Sequence, residues 1–235
     1  IAPECGEPVI SQGFVYAITE FPKNTDSIVE VSGEEISTEV TSLKQNTIYY
    51  YRTYFTNATE TYYGDQKSFT TEVGPPIIGQ ERDGGIVFYI AEEPTDLDGD
   101  GVLDTGLVCA TEDQSEVRWH NGANMITGAS ASGLGSGASN TATIIEAQGE
   151  GSYAASVASA YDGGGFNDWF LPSKSELYLM YTNLKLEDLG GFSNSLYWSA
   201  TEYNDSNTWA QNFNNGSKNG LSKYSSKDVR AVRAF

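Results

Sequence analysis

The fold of the second half of this chain is decided by the stretch GGGFNDWFLPSKSEL, residues 163–177. It contains a glycine-rich turn, a short aromatic segment and a helix start, in that order. Ser173 and Glu176 have the Ser-x-x-Glu spacing of a capping box, which fits better than a Ser/Lys nucleophile at Ser173 and Lys174. Apolar residues follow at helical spacing. The sequence therefore predicts an amphipathic helix that begins after Ser173.

The segments upstream of this stretch indicate more helix and more turn. An Ala/Ser-rich region at 141–160 predicts a second helical region that is broken near 149–151. Asp162 and Asp168 flank the glycine turn and are predicted to hydrogen-bond local backbone rather than act as a carboxylate pair. The glycines at 133–137 predict a flexible surface loop, because a phosphate-binding loop would need a basic residue nearby.

A Pro75-Pro76 pair separates two strand systems and predicts a domain boundary. Before it the chain has an all-β pattern, with strand-like runs at 13–17, 28–31, 47–55 and 66–71. We expect a β domain at 1–74, a linker at 75–83 and a second domain at 84–235.

Residues 40–71 resemble the last three strands of a fibronectin type III-like repeat of bacterial surface proteins. The resemblance implies that Leu43 and Tyr49 or Tyr51 pack in its core. Such a sandwich usually takes about 90–100 residues, so we expect a small immunoglobulin/fibronectin-like sandwich that is incomplete at its N-terminus. An upstream segment or a partner's donor strand would complete it. A closed seven-stranded sandwich within 1–74 would contradict this expectation.

The net charge of −19 arises from 32 acidic and 13 basic side chains. It argues against nucleic acid or an anionic membrane as the main partner. No apolar run reaches the roughly 18 residues of a transmembrane segment. The last 42 residues differ, with five basic and three acidic side chains. Because residue 1 is Ile, we expect a processed or trimmed chain with a signal or anchor upstream.

Residues 96–104, DLDGDGVLD, predict a structural Ca²⁺ site. Leu107 occupies the position where an EF-hand has its bidentate Glu, and the flanking segments are strand-like. The sequence therefore predicts a calcium-stapled hairpin tip, with Glu92, Glu93 or water completing the shell. A solvated acidic turn is the alternative. The predicted ligands are Asp96, Asp98, Asp100, Asp104 and the Val102 carbonyl.

No catalytic residue is predicted. His120 is the single histidine and has no Ser or Cys partner at a recognisable spacing. Cys5 and Cys109 fall in different predicted domains and are expected to be unpaired thiols.

A series of aromatic and glycine landmarks makes residues 84–235 resemble the Lcl C-terminal domain, the ligand-binding domain of collagen-like bacterial adhesins. The resemblance implies a C-type-lectin-like α+β fold, an extracellular location on a cell surface or phage particle, and binding rather than catalysis. A homo-oligomer, a trimer included, stays open. The acidic loop departs from the family pattern, and the lectin triplets Glu-Pro-Asn and Gln-Pro-Asp are absent, which argues against calcium-bridged sugar binding. The landmarks are 84–90, 106–108, Trp119, 140–141, 163–173, 176–177, 197–202, Trp209, Phe213 and 229–233.

The segment 203–228 contains residue types that are reached from an Asn codon by changing adenines alone. It resembles the variable region of proteins diversified by retroelements, and a near-identical adenine-rich repeat beside a reverse-transcriptase gene would distinguish it from a long polar loop. Lys218, Lys223 and Lys227 do not fit the pattern. Tyr, Asn and Ser give adaptable contacts at low entropic cost. The predicted ligand-binding residues are Tyr203, Asn204, Asp205, Ser206, Asn207, Asn212, Asn214, Ser217, Asn219, Leu221, Ser222, Tyr224, Ser225 and Ser226.

The function predicted from these features is an adhesion protein that binds a protein or glycan ligand. A glycan or glycosaminoglycan binder without diversification is the alternative, and a formylglycine-generating-type enzyme, which needs a close cysteine pair, is a remote one.

Trp198, Trp209 and Phe213 are predicted to anchor the core. Arg230 and Arg233 are equally compatible with ion pairs and with ligand contacts.

Overall fold

The computed structural model describes residues 8–33 and 37–235 and has a mixed α+β architecture. The chain divides into two compact units, Ile1–Pro75 and Pro76–Phe235. The strands are β1 Ser11–Ala17, β2 Ser27–Glu30, β3 Ile48–Thr56, β4 Thr61–Tyr63, β5 Lys67–Thr70, β6 Glu81–Arg82, β7 Gly85–Thr95, β8 Asp104–Cys109, β9 Val117–Arg118, β10 Leu196–Glu202, β11 Asn207–Asn212, β12 Lys218–Ser222, β13 Ser226–Lys227 and β14 Val232–Ala234. The α-helices are α1 Gly137–Gln148, α2 Ala154–Ser159 and α3 Lys174–Asn183. In the described part of the chain, every helix is too short or too polar to cross a membrane.

The N-terminal unit contains one antiparallel sheet in the order β2-β1-β3-β4, and β5 also pairs with β3. The nine residues of β3 are rich in Tyr and Thr, which favour a pleated, half-buried surface. One edge of β3 is long enough for two partners, since its last residues pair with β4 and its first residues pair with β5. Sequence patterns predicted β1, β2, β3 and β5 and missed β4, which has only three residues.

A second stacked sheet is not present among the described residues of this unit, so its five strands do not form a closed sandwich. Val15, Tyr49 and Tyr54 are buried, whereas Leu43 is half-buried. Cys5 lies outside the described residues.

The C-terminal unit is built from three small sheets and the three α-helices. The orders are β14-β8-β7-β6, β10-β11-β12 and β13-β9. Successive side chains of strand β10 point to opposite faces of the sheet and contribute to two different core clusters. Trp198 packs into one cluster with Trp119, and Tyr197 packs into the other with Phe213 and Leu177.

The stretch 163–177 contacts the C-terminal residues of the chain at two points. Phe170 forms a β-bridge with Val232 in β14. Asp168 accepts two hydrogen bonds of 2.7 Å from the guanidinium of Arg233. Burial of Asp168 opposes its ionisation, but the bonds from Arg233 outweigh this and hold its pKa below its usual value. Asp168 thus bonds local backbone, as predicted, and in addition Arg233, a partner 65 residues away that the sequence did not indicate.

Arg230 is buried and plays the same structural part. Its Nε donates to Asp113 at 2.7 Å, and its Nη1 donates to the carbonyl of Ala110 at 2.9 Å. Tyr197 donates its hydroxyl to the other oxygen of Asp113. Arg230 and Arg233 are thus ion-pair partners within the fold, and the ligand-contact alternative is excluded by their burial.

The predicted capping box is present at the start of α3. Glu176 Oε2 accepts the backbone N–H of Ser173 at 2.8 Å, and Ser173 Oγ accepts that of Glu176. The second carboxylate oxygen accepts the N–H groups of Gly135 and Gly137. Gly137 is buried at the start of α1, so the prediction of a flexible surface loop at 133–137 is wrong there. A side chain at Gly137 would overlap Glu176.

The second helical region is present as two helices rather than one. Helix α1 begins four residues before the predicted start at 141, and it ends at Gly149, whose φ is +70°. Helix α2 follows after the predicted break. Thr141 accepts the N–H of Leu171 and donates to its carbonyl, which ties α1 to the 163–177 stretch.

We predict that Glu176 makes stability fall as the pH rises through the neutral range. Burial raises its pKa to about 7 from 4.5, against the opposing effect of its backbone donors. Between these two values the folded chain holds a proton that the unfolded chain releases, so raising the pH disfavours the folded state. Chemical denaturation from pH 5 to pH 7.5 is expected to show the wild-type advantage over Glu176→Gln shrinking. A difference that does not change with pH would contradict this.

Candidate functional site

The predicted binding segment forms the hairpin β11–β12 and the turns at its two ends. The register pairs Asn207 with Ser222 and Trp209 with Gly220. On β11, Thr208 and Ala210 alternate with Asn207 and Trp209, and both are buried. The hairpin therefore has one face in the fold, and its other face carries Asn207, Trp209, Gly220 and Ser222.

None of the fourteen predicted ligand-binding residues is buried. One of them, Leu221, packs against the core cluster of Trp198 and is a support rather than a free surface residue. The half-buried members are Ser206, Asn207, Asn212, Asn219, Leu221 and Ser225. The exposed members are Tyr203, Asn204, Asp205, Asn214, Ser217, Ser222, Tyr224 and Ser226.

The structure places twelve of these residues in two groups at opposite ends of the hairpin, and Asn219 and Leu221 lie on β12 between them. Asn212, Asn214 and Ser217 lie at the tip that joins β11 to β12. The segments 203–207 and 222–226 meet at the other end, where Lys223 donates its backbone N–H to the Ser206 carbonyl at 3.0 Å. A six-residue strand spans about 17 Å. A ligand of small size would contact one group and not both.

Several of the asparagines shape the turns. Asn204 Oδ1 accepts the N–H groups of Ser206 and Asn207. Asn212 Oδ1 accepts the N–H of Asn214 in the same way. Part of the Asn content of the segment is thus explained by local turn formation.

Lys223 anchors the segment in the interior. It is fully buried, and its ammonium pairs with the buried carboxylate of Glu202. It also donates to the Met125 carbonyl at 2.7 Å and lies 4.6 Å from the centre of the Trp119 ring. Glu202 in turn accepts the N–H of Thr127. The structural role of Lys223 explains why this residue departs from the adenine pattern.

His120 supports Tyr224 from below. The two rings meet edge to face with their centres 4.3 Å apart, and His120 is only 2% exposed. Its Nδ1 accepts the N–H of Gly122. Burial, with the charges of Arg118 and Lys223, lowers the pKa of His120 and favours the neutral ring. Sequence reasoning did not connect His120 with the binding segment, since they are about a hundred residues apart.

The outer face of the hairpin carries two lysine–aromatic contacts. Lys174, the first residue of α3, places its ammonium 3.3 Å from the centre of the Trp209 ring. Tyr203 meets the same ring at 5.1 Å. Lys218 lies 3.6 Å from the centre of the Tyr178 ring. Of the three predicted core anchors, Trp198 and Phe213 are buried, whereas Trp209 is half-buried on this outer face.

The acidic loop joins β7 to β8, at the hairpin tip that the sequence predicted. Carboxylate oxygens of Asp96, Asp98 and Asp104 lie within 4.8 Å of one another. Asp100 is outside this cluster and accepts the N–H of Val102. The structure thus brings three of the four predicted carboxylates together.

Backbone donors and glycines shape this loop. Asp96 accepts the N–H of Gly99 and of Gly101, both of which have φ of +86°. Burial and the neighbouring carboxylates raise the pKa of Asp98 and of Asp104. The loop thus brings together three carboxylate oxygens, which are of the ligand type that Ca²⁺ takes in sixes to eights.

Comparison with known proteins gives one family match. The family model of the Lcl C-terminal domain matches residues 108–233. The predicted landmarks at 84–107 and the acidic loop lie outside the matched range. A search of curated proteins found no match.

Among solved structures, the chain is similar to a fimbrial protein from Bacteroides ovatus ATCC 8483, with 11% sequence identity and a TM-score of 0.44. The alignment covers 97% of this chain and 65% of that chain. This chain therefore spans less than two thirds of the fimbrial protein.

We predict that Lys223→Met destabilises the fold by about 3 kcal/mol, because it leaves the Glu202 carboxylate buried without a counter-charge. The neighbouring exposed serine provides the control, and Ser226→Ala is expected to stay within about 0.5 kcal/mol of the wild type. Urea denaturation measures both values. Equal stability of the two variants would contradict the anchoring role of Lys223.

Proposed function

This chain belongs to the Lcl C-terminal domain family, and we propose that it is a non-catalytic adhesion protein of the cell surface. Its β11–β12 hairpin and the flanking turns would bind a protein or glycan partner. An extracellular location, on a cell or on a phage particle, and a possible homo-oligomeric state belong to the same proposal.

One observation carries this proposal: the predicted contact residues are displayed on a segment whose backbone is fixed from inside. Lys223 and Thr208 are buried within the segment, whereas Tyr203 and Tyr224 are 58% and 49% exposed. Exposed tyrosines supply large contact areas at low entropic cost. A rigid backbone also lowers the cost of ordering on binding.

Diversification of the segment is a further part of the proposal. Substitution at an exposed position usually changes stability by no more than about 0.5 kcal/mol. Eight of the fourteen predicted positions are exposed and meet this condition, and of the six half-buried ones only Leu221 packs against the core. The residue types in 203–228 and their exposure support variation of specificity on a constant scaffold.

The formylglycine-generating alternative is disfavoured by the burial of Cys109. Cys109 is fully buried in β8, and burial raises the pKa of its thiol to about 12. A nucleophilic cysteine must be a thiolate and must be accessible.

The N-terminal unit supports a presentation role. Tyr49 accepts the backbone N–H of Lys44, five residues upstream, as a tyrosine corner does in fibronectin-like sandwiches. Phe14, Tyr51 and Phe69 line a cleft of about 470 Å³ on one side of the sheet. A strand from an upstream domain or a partner would cover these side chains and complete the sandwich.

We expect that replacing the exposed residues of 203–226 by those of a family relative, with Lys223, Thr208 and Ala210 retained, changes ligand preference and leaves the melting temperature unchanged. Binding is measured on an array of immobilised glycans and on whole cells. The same preference before and after the exchange would contradict the assignment of the hairpin as the binding surface.

We also propose that the loop at 96–104 binds a structural Ca²⁺. Calcium at a hundred times its dissociation constant is expected to stabilise the fold by about 2.7 kcal/mol. Differential scanning fluorimetry with Ca²⁺ and with chelator measures the shift. Asp98→Asn is expected to abolish the shift, and Asp100→Asn, outside the carboxylate cluster, to retain it. An unchanged midpoint for the wild type would contradict the proposal.

A further inference from the structure

The outer face of the hairpin and the adjacent helix α3 together form a cationic patch. It is defined as Lys174 and Tyr178 of α3 with Tyr203, Trp209 and Lys218. Each ammonium group is held against an aromatic ring, which fixes its position without neutralising its charge. Tyr203 and Tyr178 are 58% and 40% exposed, so the patch has open ring surface beside both lysines.

The two lysines differ from the paired cations of the C-terminal unit. Arg82, Lys223, Arg230 and Arg233 each form an ion pair with a carboxylate. Among the residues that the structure describes, Lys174 and Lys218 have no carboxylate within ion-pair distance. Burial and the nearby charge of Lys218 lower the pKa of Lys174. Lys218 pairs with Gln211, two residues from Trp209 on the same face of the hairpin, so both lysines belong to one surface. Their ammonium groups repel each other, and a bound anion would relieve this repulsion.

Resting on the proposed function, we infer that the cationic patch binds the carboxylate of an acidic saccharide. The sugar ring would lie against the exposed tyrosines. Asn207 and Ser222 share this face of the hairpin with Trp209 and Gly220, and they offer amide and hydroxyl groups to sugar hydroxyls. Gly220 has no side chain, and the Tyr203 ring packs over it, which places that ring on the same face.

The charge of the scaffold selects a compact anion over a polyanion. The chain has 32 acidic and 13 basic side chains, and residues 75–193 alone have 18 acidic and four basic ones. A long sulfated polymer would extend beyond two lysines over an acidic surface and be repelled. A single carboxylate bound at the two lysines would feel mainly their charges. The acidic side chains further away would repel it little, because salt screens their field over about 8–10 Å.

The experiment is an NMR titration of the full chain with glucuronic acid and N-acetylneuraminic acid, with glucose as the neutral probe and a heparin oligosaccharide as the polyanionic one. At least one acidic sugar is expected to bind roughly tenfold more tightly than glucose. Lys174→Gln and Lys218→Gln are each expected to weaken this binding roughly five- to tenfold, and Lys218→Arg is expected to restore it. Lys227→Gln, which removes an equal charge from β13, is the matched control.

Four results would overturn the inference. They are equal affinity for glucose and both acids, no binding of either acid, a Lys218→Gln effect no larger than that of Lys227→Gln, and tighter binding of heparin with steep salt dependence. The last of these would favour a polyanion as the ligand. These outcomes leave the exchange of hairpin residues unaffected, so failure of this inference is distinct from failure of the proposed function.

Discussion

The ion pair between Lys223 and Glu202 fixes the position of the exposed hairpin. Both side chains are almost fully buried, so removing either one would leave a charge in the interior without a partner. Glu202 also binds the backbone at Thr127, and Lys223 binds that at Met125. The end of β10, the loop before α1 and the end of the hairpin are thereby held at one point. This buried pair supports the proposal that the exposed residues on either side of Lys223 vary on a constant backbone.

The same arrangement holds the end of the chain. Arg230 pairs with Asp113 and Arg233 pairs with Asp168, and both arginines are buried. Each ion pair joins the last residues of the chain to a segment far upstream in the sequence. Glu176 performs a comparable function without a counter-charge, because backbone N–H groups from two helix starts solvate its carboxylate.

Local patterns predicted the features that depend on neighbouring residues. The capping box at Ser173 and Glu176 and most strands of the N-terminal unit follow from spacing and propensity alone. The patterns missed hydrogen bonds between groups that are distant in sequence. Asp168 bonds a residue 65 positions away, and the glycines at 135 and 137 bond Glu176 about 40 positions away. Asp100 has the spacing of a calcium ligand, but its carboxylate lies outside the cluster of Asp96, Asp98 and Asp104. Spacing does not record where a backbone turn directs each carboxylate.

The distribution of charge sharpens the view of recognition on this chain. A net charge of −19 describes the scaffold, and four basic side chains of the C-terminal unit are neutralised by ion pairs. Among the basic side chains outside these ion pairs, Lys174 and Lys218 are the two that aromatic rings hold in place beside exposed tyrosines. A local positive patch on an acidic body attracts an anion only at short range, because the body repels any charge that extends further. Under the proposed function, the acidic scaffold would restrict the size of an anionic ligand, and the hairpin would supply the contacts.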